Sequence, residues 1–380
     1  MPRAHIVVES PIVQSTRVVQ MRGLFDVQHD VKTCHEWDID LHELDERDWQ
    51  IGLVCGPSGS GKSTIAKHFW SDSLMLNMQW SHEQSVLDAF PETMSIKEIV
   101  SLLSAVGFSS PPSWVKPYHV LSTGEQFRAR MALLLAQHQS LMVVDEFTSV
   151  VDRTVAKTCS AALSRAIRRR KGRFIGVTCH DDVEAWLTPD WVYRTDEQKL
   201  YWRHLQRPRI TLELERTHAT CWNVFRAHHY LDASLNTSSL CFVAYWQDRA
   251  VAFVAVLSFP GSGWRIHRWV CLPDYQGVGI GGALVDFIAS VFRVTRKRVL
   301  ITSSHPAVVT SLAKSLSWHM MRAPALRRGG GTTIRSIRQS FATDRLTAGF
   351  TYVGPRASRK QLRVLMPEWA ARLYRVGNTH

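Results

Sequence analysis

The sequence predicts an α/β protein of two successive domains, and three observations carry that expectation. Before residue 204, apolar strand-length runs alternate with helix-compatible segments, as in a mostly parallel sheet. One of those runs, 51–55, leads through a glycine-rich turn into a helix-compatible stretch at 63–70. Beyond residue 210 the order changes to two apolar runs around a polar turn, then strand, a second glycine-rich turn, helix and strand. A length of 380 residues suits two to three domains and at least one full core. Hydrophobic residues make up 45% and charged residues 21%, which excludes a mainly disordered or collagen-like chain. No apolar run reaches the roughly 18 residues of a membrane span. The opening Met1-Pro2-Arg3-Ala4-His5 lacks the apolar core of a secretory signal. Seven cysteines without a Cys-x-x-Cys pair point to neither a zinc ribbon nor a disulfide framework.

In the first domain, residues 1–205, the turn Gly56-Pro57-Ser58-Gly59-Ser60-Gly61-Lys62-Ser63 fits the pattern G-x-x-x-x-G-K-[ST] in full, and Thr64 continues it. A strand before it and a helix after it are the context that this motif requires. Its glycines let backbone N–H groups turn inward and cradle phosphate oxygens at a helix N-terminus. Lys62 then reaches the β- and γ-phosphates, and the Ser63 hydroxyl holds Mg2+. A strand is expected around 74–78, with Gln79 or Gln84 following it. Leu121-Ser122-Thr123-Gly124-Glu125-Gln126 comes next, and then an apolar strand, 141–144, that ends in Asp145-Glu146. An aspartate there suits the magnesium shell, and a glutamate beside it suits polarising a water. Ser149-Val150-Val151-Asp152 and Val177-Thr178-Cys179-His180-Asp181 complete the series. Arg168-Arg169-Arg170-Lys171 reads as the end of a helix, where cations complement the dipole.

In order and spacing, these five motifs resemble the ATPases of the ABC class over about residues 15–203. The resemblance implies ATP as ligand, Asp145 as the Walker B aspartate and Glu146 as the catalytic glutamate. It makes His180 the switch histidine and 149–152 the D-loop. Leu121 to Gln126 resembles the signature, with Thr123 where a second glycine is usual and Glu125 where glutamine is usual. It implies an ATP-dependent head-to-tail homodimer in which Ser122, Gly124 and Glu125 of one copy meet ATP on the other. Either Gln79 or Gln84 is the Q-loop residue. Phe25 or Trp37 could stack on adenine, although a core position is the plainer reading of each. Only 58 positions separate Ser63 from Leu121. That is too short for long coiled-coil arms and leaves little room for an importer's helical subdomain, so membrane transport ranks low.

A boundary falls at 204–210, and the charge changes there. Residues 1–206 carry 22 Lys+Arg and 25 Asp+Glu, a net −3; residues 207–380 carry 24 and 8, a net +16. A basic half beside a near-neutral one calls for an acidic partner of one domain only.

In the second domain, residues 206–355, runs at 240–246 and 250–259 around Gln247-Asp248-Arg249 read as a hairpin. A strand at 264–272, a helix at 281–292, a strand at 299–302 and a helix from Pro306 follow. The turn Gln276-Gly277-Val278-Gly279-Ile280-Gly281 fits Q/R-x-x-G-x-G/A between strand and helix. This resembles the acyl-CoA-binding motif of GNAT-type acetyltransferases. A dinucleotide-binding turn has a similar shape, but the hairpin before it argues against that fold, and no acidic residue stands about 20 residues on in a suitable strand. The resemblance implies acetyl-CoA or another acyl-CoA, with its pyrophosphate on the backbone of Gln276, Val278, Gly279, Ile280, Gly281 and Gly282. Catalytic candidates are His228, His229 and Tyr230 in the run HHYLD, and Ser303, Ser304 and His305 after the strand. The plain alternatives are that His228 and His229 straddle a helix end and that Ser303 and Ser304 cap the next helix. Cys241 and Cys271 read as core. A His-Tyr pair at a similar position is a feature of the phage Mom-type DNA-modification enzymes, a short likeness.

Arg327, Arg328, Arg335 and Arg338 flank Gly329-Gly330-Gly331 in an arginine-rich loop suited to a phosphate backbone, and the basic tail, 356–380, extends it and ends in a short helix. The fold class expected is therefore α/β, an ABC-class P-loop ATPase domain followed by a GNAT-like acyltransferase domain. The expected partner is nucleic acid, DNA before RNA, with no membrane, in the cytoplasm of a bacterium or a phage-infected cell. The alternatives are an RNA acetyltransferase and an ATP-switched nucleic-acid clamp whose GNAT domain senses acyl-CoA.

Overall fold

The computed structural model describes residues 3–25, 32–75, 78–137, 140–203, 205–231, 233–259, 263–326 and 346–368. The chain forms two compact units. The first takes in Met1–Met78, His138–Val150 and Ser164–Arg207; the second takes in Gln79–Gln137, Val151–Leu163 and Pro208–His380.

The first unit begins with an antiparallel pair, β1 (Arg3–Pro11) and β2 (Lys32–Asp40), in which Arg3 faces Asp40. Its main sheet contains β3 (Ile51–Cys55), β4 (Leu141–Val144), β5 (Arg173–Thr178), β6 (Trp191–Arg194) and β7 (Lys199–Trp202), in the order β4-β5-β3-β6-β7. All pairs are parallel except β6–β7. Every residue of β3 is buried, which is why the strand reads as an unbroken apolar run. Gly52 has no alternative there, since a Cβ would fall 2.1 Å from the Trp191 ring. Trp191 in turn packs against Trp49 and Trp70, at 5.4 and 6.2 Å between centroids. Cys55 is level with Thr178, and Val144 with Gly176. The three parallel strands therefore release Gly56, Asp145 and Cys179 at one edge of the sheet. The strand expected at 74–78 is not formed among the described residues there. The chain turns through Ser71–Ser73, and Leu74 makes only an isolated bridge to Val143.

The second unit is built on a seven-stranded sheet of order β13-β14-β12-β11-β10-β9-β8. Its strands are β8 (Glu213–Thr217), β9 (Leu240–Trp246), β10 (Arg249–Phe259), β11 (Gly263–Cys271), β12 (Val299–Ser303), β13 (Trp318–Leu326) and β14 (Leu346–Tyr352). The β9–β10 hairpin turns on Gln247 and Asp248, at φ 50° and 61°, the pair of left-handed residues that a two-residue turn of primed type needs. β11 and β12 are the one parallel pair, and only Trp264, Arg265 and Ile266 are matched with Val299, Leu300 and Ile301. Past those pairs the two strands part. A bulge on β11, where Ala255 faces Arg268 and Val256 faces Ile266, leaves His267 as the extra residue beside the parting. The helix Ile280–Arg293 buries Ile280, Leu284, Val285 and Ile288 in the core that this sheet covers. Helices Ile96–Ala105 and Thr123–Ala136 also belong to this unit, with residues 153–163. No helix among the described residues is long and apolar enough to cross a membrane. The tail helix is Arg359–Leu365, capped by Ser358. Residues 369–380 and the glycine triplet at 329–331 lie outside the described residues.

Candidate functional site: two glycine turns at helix N-termini

The loop after β3 has the geometry of a phosphate cradle. Gly59 and Gly61 take left-handed φ of 80° and 84°, and the helix Lys62–Trp70 begins immediately. Gly59 faces open space, so a ligand meets bare backbone there. Ser60 Oγ is hydrogen-bonded to Thr195 Oγ1 and donates to the Pro57 carbonyl, which fixes the loop from beneath. Lys62 Nζ donates to the Pro57 carbonyl, so the ammonium is folded along the loop. Ser58 is exposed, and Ser63 and Thr64 lie half-buried in the first turn of the helix. Trp37 lies against Gly61, where a Cβ would be 2.4 Å from its ring. Phe25, by contrast, is 73% exposed, so its expected core position does not hold.

Asp145 leaves β4 at the same edge and accepts the Glu146 backbone N–H at 2.8 Å. Glu146 is exposed and held at φ 51°, and Thr148 at φ 68°, a backbone region that non-glycine residues occupy at a cost of about 1–3 kcal/mol. The Phe147 N–H donates to Val177 and fixes this turn to β5. Ser63 and Asp145 supply a hydroxyl and a carboxylate, hard oxygen donors that suit Mg2+. His180 follows β5, half-buried, with its N–H donating to Thr178 Oγ1 at 3.1 Å. Its neighbour Asp181 accepts from Cys55 Sγ at 2.8 Å and from Arg194 at 2.6 Å, and these bonds lower its pKa. Burial and this carboxylate push the Cys55 thiol up to about 12. No residue of this anchor was singled out for it in the sequence.

Ser122 caps the helix Thr123–Ala136 with a full capping box: its hydroxyl accepts from Glu125 N–H, and the Glu125 carboxylate accepts from Ser122 N–H. Ser113 donates to the other oxygen of Glu125 at 2.7 Å. This gives the glutamate that stands at the usual glutamine position a local function. Gly124 lies in the first turn, where a Cβ would come 3.2 Å from Val155. Gln79 and Gln84 are both exposed and lie outside any helix or strand. Asp152 accepts from the N–H groups of Thr154 and Val155 at the start of the next helix.

The second turn repeats the first in outline. Gly277 and Gly279 take φ of 84° and 93°, and the helix Ile280–Arg293 begins at once. Gly279 faces open space, as Gly59 does, and Gly282 does too. Ile280 turns its side chain into the core, so its backbone alone faces a ligand. A Cβ on Gly281 would come 3.1 Å from Trp269. Val278 packs half-buried on the same core. Gln276 is engaged within the protein: Ser109 N–H donates to its Oε1 at 2.9 Å, and its Nε2 donates to the Cys271 carbonyl at 3.0 Å. Cys241 is buried and Cys271 half-buried, and burial pushes their thiols up to about 11 and about 12.

His228 is exposed at the end of a short turn, and His229, next to it, is half-buried with its ring edge-on to Trp222. Tyr230 OH is hydrogen-bonded to Ser304 Oγ at 3.0 Å, which joins HHYLD to the end of β12. Ser303 and Ser304 do not cap the helix Pro306–Lys314; His305 is its N-cap residue and makes no side-chain cap bond. Ser303 Oγ instead accepts from the His305 N–H. His305 is 5% exposed, between the rings of Tyr230 (5.5 Å) and Trp114 (5.8 Å). Its ring nitrogens lie near backbone without a well-formed hydrogen bond, and burial lowers its pKa. Arg327, Arg328, Arg335 and Arg338 lie outside the described residues.

Residues 184–307 match the Acetyltransferase (GNAT) family, so the chain carries a GNAT domain. Among solved structures, a bacterial ABC transporter cassette in dimeric form is similar at 14% identity and a TM-score of 0.34, over 44% of this chain and 88% of that one. A cassette from Clostridium perfringens, part of the ABC transporter complex cbiONQ, is similar at 18% identity and 0.35, over 44% and 78%. A post-hydrolysis cassette bound to ADP and Pi is similar at 14% and 0.34, over 48% and 92%. No curated protein matches the sequence.

The burial of His305 sets a pH dependence. Above about pH 6.5 the imidazole is neutral in both folded and unfolded chains; below it the unfolded ring takes a proton that the buried one resists. Stability is therefore lost as pH falls from about 6.5 towards the lowered folded value. His305→Leu is expected to lose less stability between about pH 7 and pH 5 than the parent in thermal melts. Equal losses would show that His305 is not the group responsible.

Proposed function

We propose that this chain is an ATP-dependent acyltransferase that moves an acyl group from CoA to nucleic acid, with DNA bases as the acceptor. The observation that carries the reading is the duplicated cradle, Gly59/Gly61 and Gly277/Gly279, each with an open glycine and a helix N-terminus behind it. The first cradle takes the ATP phosphates, with Lys62 at the β- and γ-positions and Ser63 and Asp145 holding Mg2+, which supplies charge neutralisation there. Glu146 would polarise the attacking water, and His180 would contact the γ-phosphate. Ser122, Gly124 and Glu125 of a second copy complete the site, so the working form is a homodimer in the cytoplasm.

The second cradle takes the CoA pyrophosphate through the backbone of 278–282. An exocyclic amine attacks the thioester carbonyl, His228 or His229 accepts its proton, and the thiolate leaves. Tyr230, bonded to Ser304, is the proton donor to that thiolate. The nucleic-acid acceptor rests on the +16 charge of residues 207–380, on the arginine-rich loop and on the HHYLD run that resembles Mom-type enzymes. The anchoring of the Gln276 side chain within the protein favours a second reading, a nucleic-acid clamp that senses acyl-CoA without turnover. Mass spectrometry of nucleosides from cells with and without the gene decides between them: an acylated nucleoside supports the enzyme.

Lys62→Ala is expected to abolish ATP binding. Glu146→Gln should retain ATP and accumulate as a dimer on gel filtration with Mg-ATP; a monomer at micromolar protein would contradict the head-to-tail arrangement. In the full chain, Gly279→Trp fills the open side of the second turn and should remove acetyl-CoA binding measured by calorimetry. If Arg327, Arg328, Arg335 and Arg338 touch phosphates, each contact contributes a slope of about −0.9 to log affinity against log salt. Their joint replacement by Ala should flatten the slope for duplex DNA by roughly three to four units. An unchanged affinity and slope would move the acceptor to a small molecule or a protein.

A further inference from the structure

Arg128 lies on the helix that Ser122 caps and is 2% exposed. Its guanidinium joins three segments. Nη1 donates to the carbonyls of Val106 (3.2 Å), Gly107 (3.0 Å) and Gln276 (3.3 Å). Nη2 donates to Thr158 Oγ1 (2.9 Å) and to the Asp274 carbonyl (3.3 Å), and the Thr158 hydroxyl donates to that same carbonyl at 2.8 Å. The hydrogen-bond partners are neutral oxygens, with the Asp274 carboxylate within electrostatic range, and the buried guanidinium tolerates little displacement of any of them.

The backbone around Arg128 has no slack either. A Cβ on Gly107 would fall 2.1 Å from Arg128 Nη1 and 2.8 Å from the Gln276 carbonyl oxygen. A Cβ on Gly277 would fall 2.8 Å from Gly107 Cα and 2.9 Å from Ala162 Cβ. Ser109 holds the Gln276 side chain from the same side. The turn that leads into 278–282 is thus gripped at its backbone by Arg128, from the helix that Ser122 caps, and at the Gln276 side chain by Ser109.

We propose that Arg128 is a positioning residue that couples nucleotide engagement at Ser122–Gly124 to the affinity of the acyl-CoA turn. This rests on the proposed reading of both sites. When phosphate engages the capped end of the helix, the guanidinium carries the displacement to the carbonyls of Asp274 and Gln276 and re-aims the amides that follow. ATP and acyl-CoA then strengthen each other's binding by one common factor, because linkage is reciprocal.

The test uses the full chain with Glu146→Gln, which retains ATP. Acetyl-CoA is titrated with and without Mg-ATP, and Mg-ATP with and without acetyl-CoA. The expected result is a tightening of about fivefold or more, equal in both directions. Adding Arg128→Met should bring both ratios to one while acetyl-CoA still binds. Thr158→Val, which removes a single hydroxyl, should lower both ratios and serves if Arg128→Met does not fold. A role in stability alone would leave the ratios of the folded variants at the parent value. A ratio of one in the parent, or an unchanged ratio in the folded variants, overturns the coupling and leaves the proposed function standing. A folded parent that binds no acetyl-CoA overturns both.

Discussion

Backbone amides hold a phosphate only where several N–H groups converge and no side chain stands in the way. Convergence requires residues at positive φ beside a helix start, and positive φ without penalty requires glycine. This one constraint sets the position of both sites. Gly59 and Gly61 satisfy it after β3, and Gly277 and Gly279 satisfy it after β11. In each case a strand of the sheet fixes the direction of approach, fully buried in β3 and partly buried in β11, and a helix supplies the dipole. The surrounding chemistry differs. The first turn stands at the edge where β4 and β5 also end, and Asp145, Glu146 and His180 follow those strands. The second follows β11, with the Trp269 ring against Gly281.

The two turns also differ in support. The first is held by short polar contacts within its own unit, Ser60 to Thr195 and Asp181 to Cys55 and Arg194. The second is held by Arg128, whose buried guanidinium hydrogen-bonds to neutral oxygens alone among the contacts described. Replacing the guanidinium by an ammonium would not reproduce that arrangement, since a lysine has three rotatable donors in place of a fixed planar fork. The geometry therefore depends on arginine in particular and on glycine at both 107 and 277.

Much of this was legible in the sequence wherever the signal is local. The buried run of β3, the polar turn of the β9–β10 hairpin and both glycine turns are each encoded within a few residues of where they act. The segment after Trp70 has the apolar residues of a strand, but among the described residues they make a single bridge to Val143 instead of joining a ladder. β1 and β2 escaped notice because their sequences are largely polar, and only Ile6 and Ile39 of the pair are buried hydrophobics. The Arg128 contacts were out of reach for a different reason. Two of the groups it binds, the Asp274 and Gln276 carbonyls, are more than 140 positions away, and a main-chain carbonyl carries no mark of residue identity. The bulge at His267 is likewise a property of register, which alternation alone does not specify.

Ser122-Thr123-Gly124-Glu125 shows how a local rule and a resemblance can compete for the same residues. Against the ABC signature, Glu125 is a departure; against helix-capping rules, Ser-x-x-Glu is a regular N-terminus. The structure satisfies the second description in full, with both reciprocal bonds made and Ser113 on the remaining carboxylate oxygen. An anion arriving at this helix end therefore meets a serine whose hydroxyl and N–H are already engaged by a negative charge. A neutral glutamine at 125 would offer one acceptor oxygen and an N–H donor in place of two acceptors, and would lack that charge. Engaging a phosphate here exchanges one anionic acceptor for another at the same dipole. On the proposed coupling, the displacement would begin about one helical turn before Arg128, on the element whose guanidinium grips the second turn.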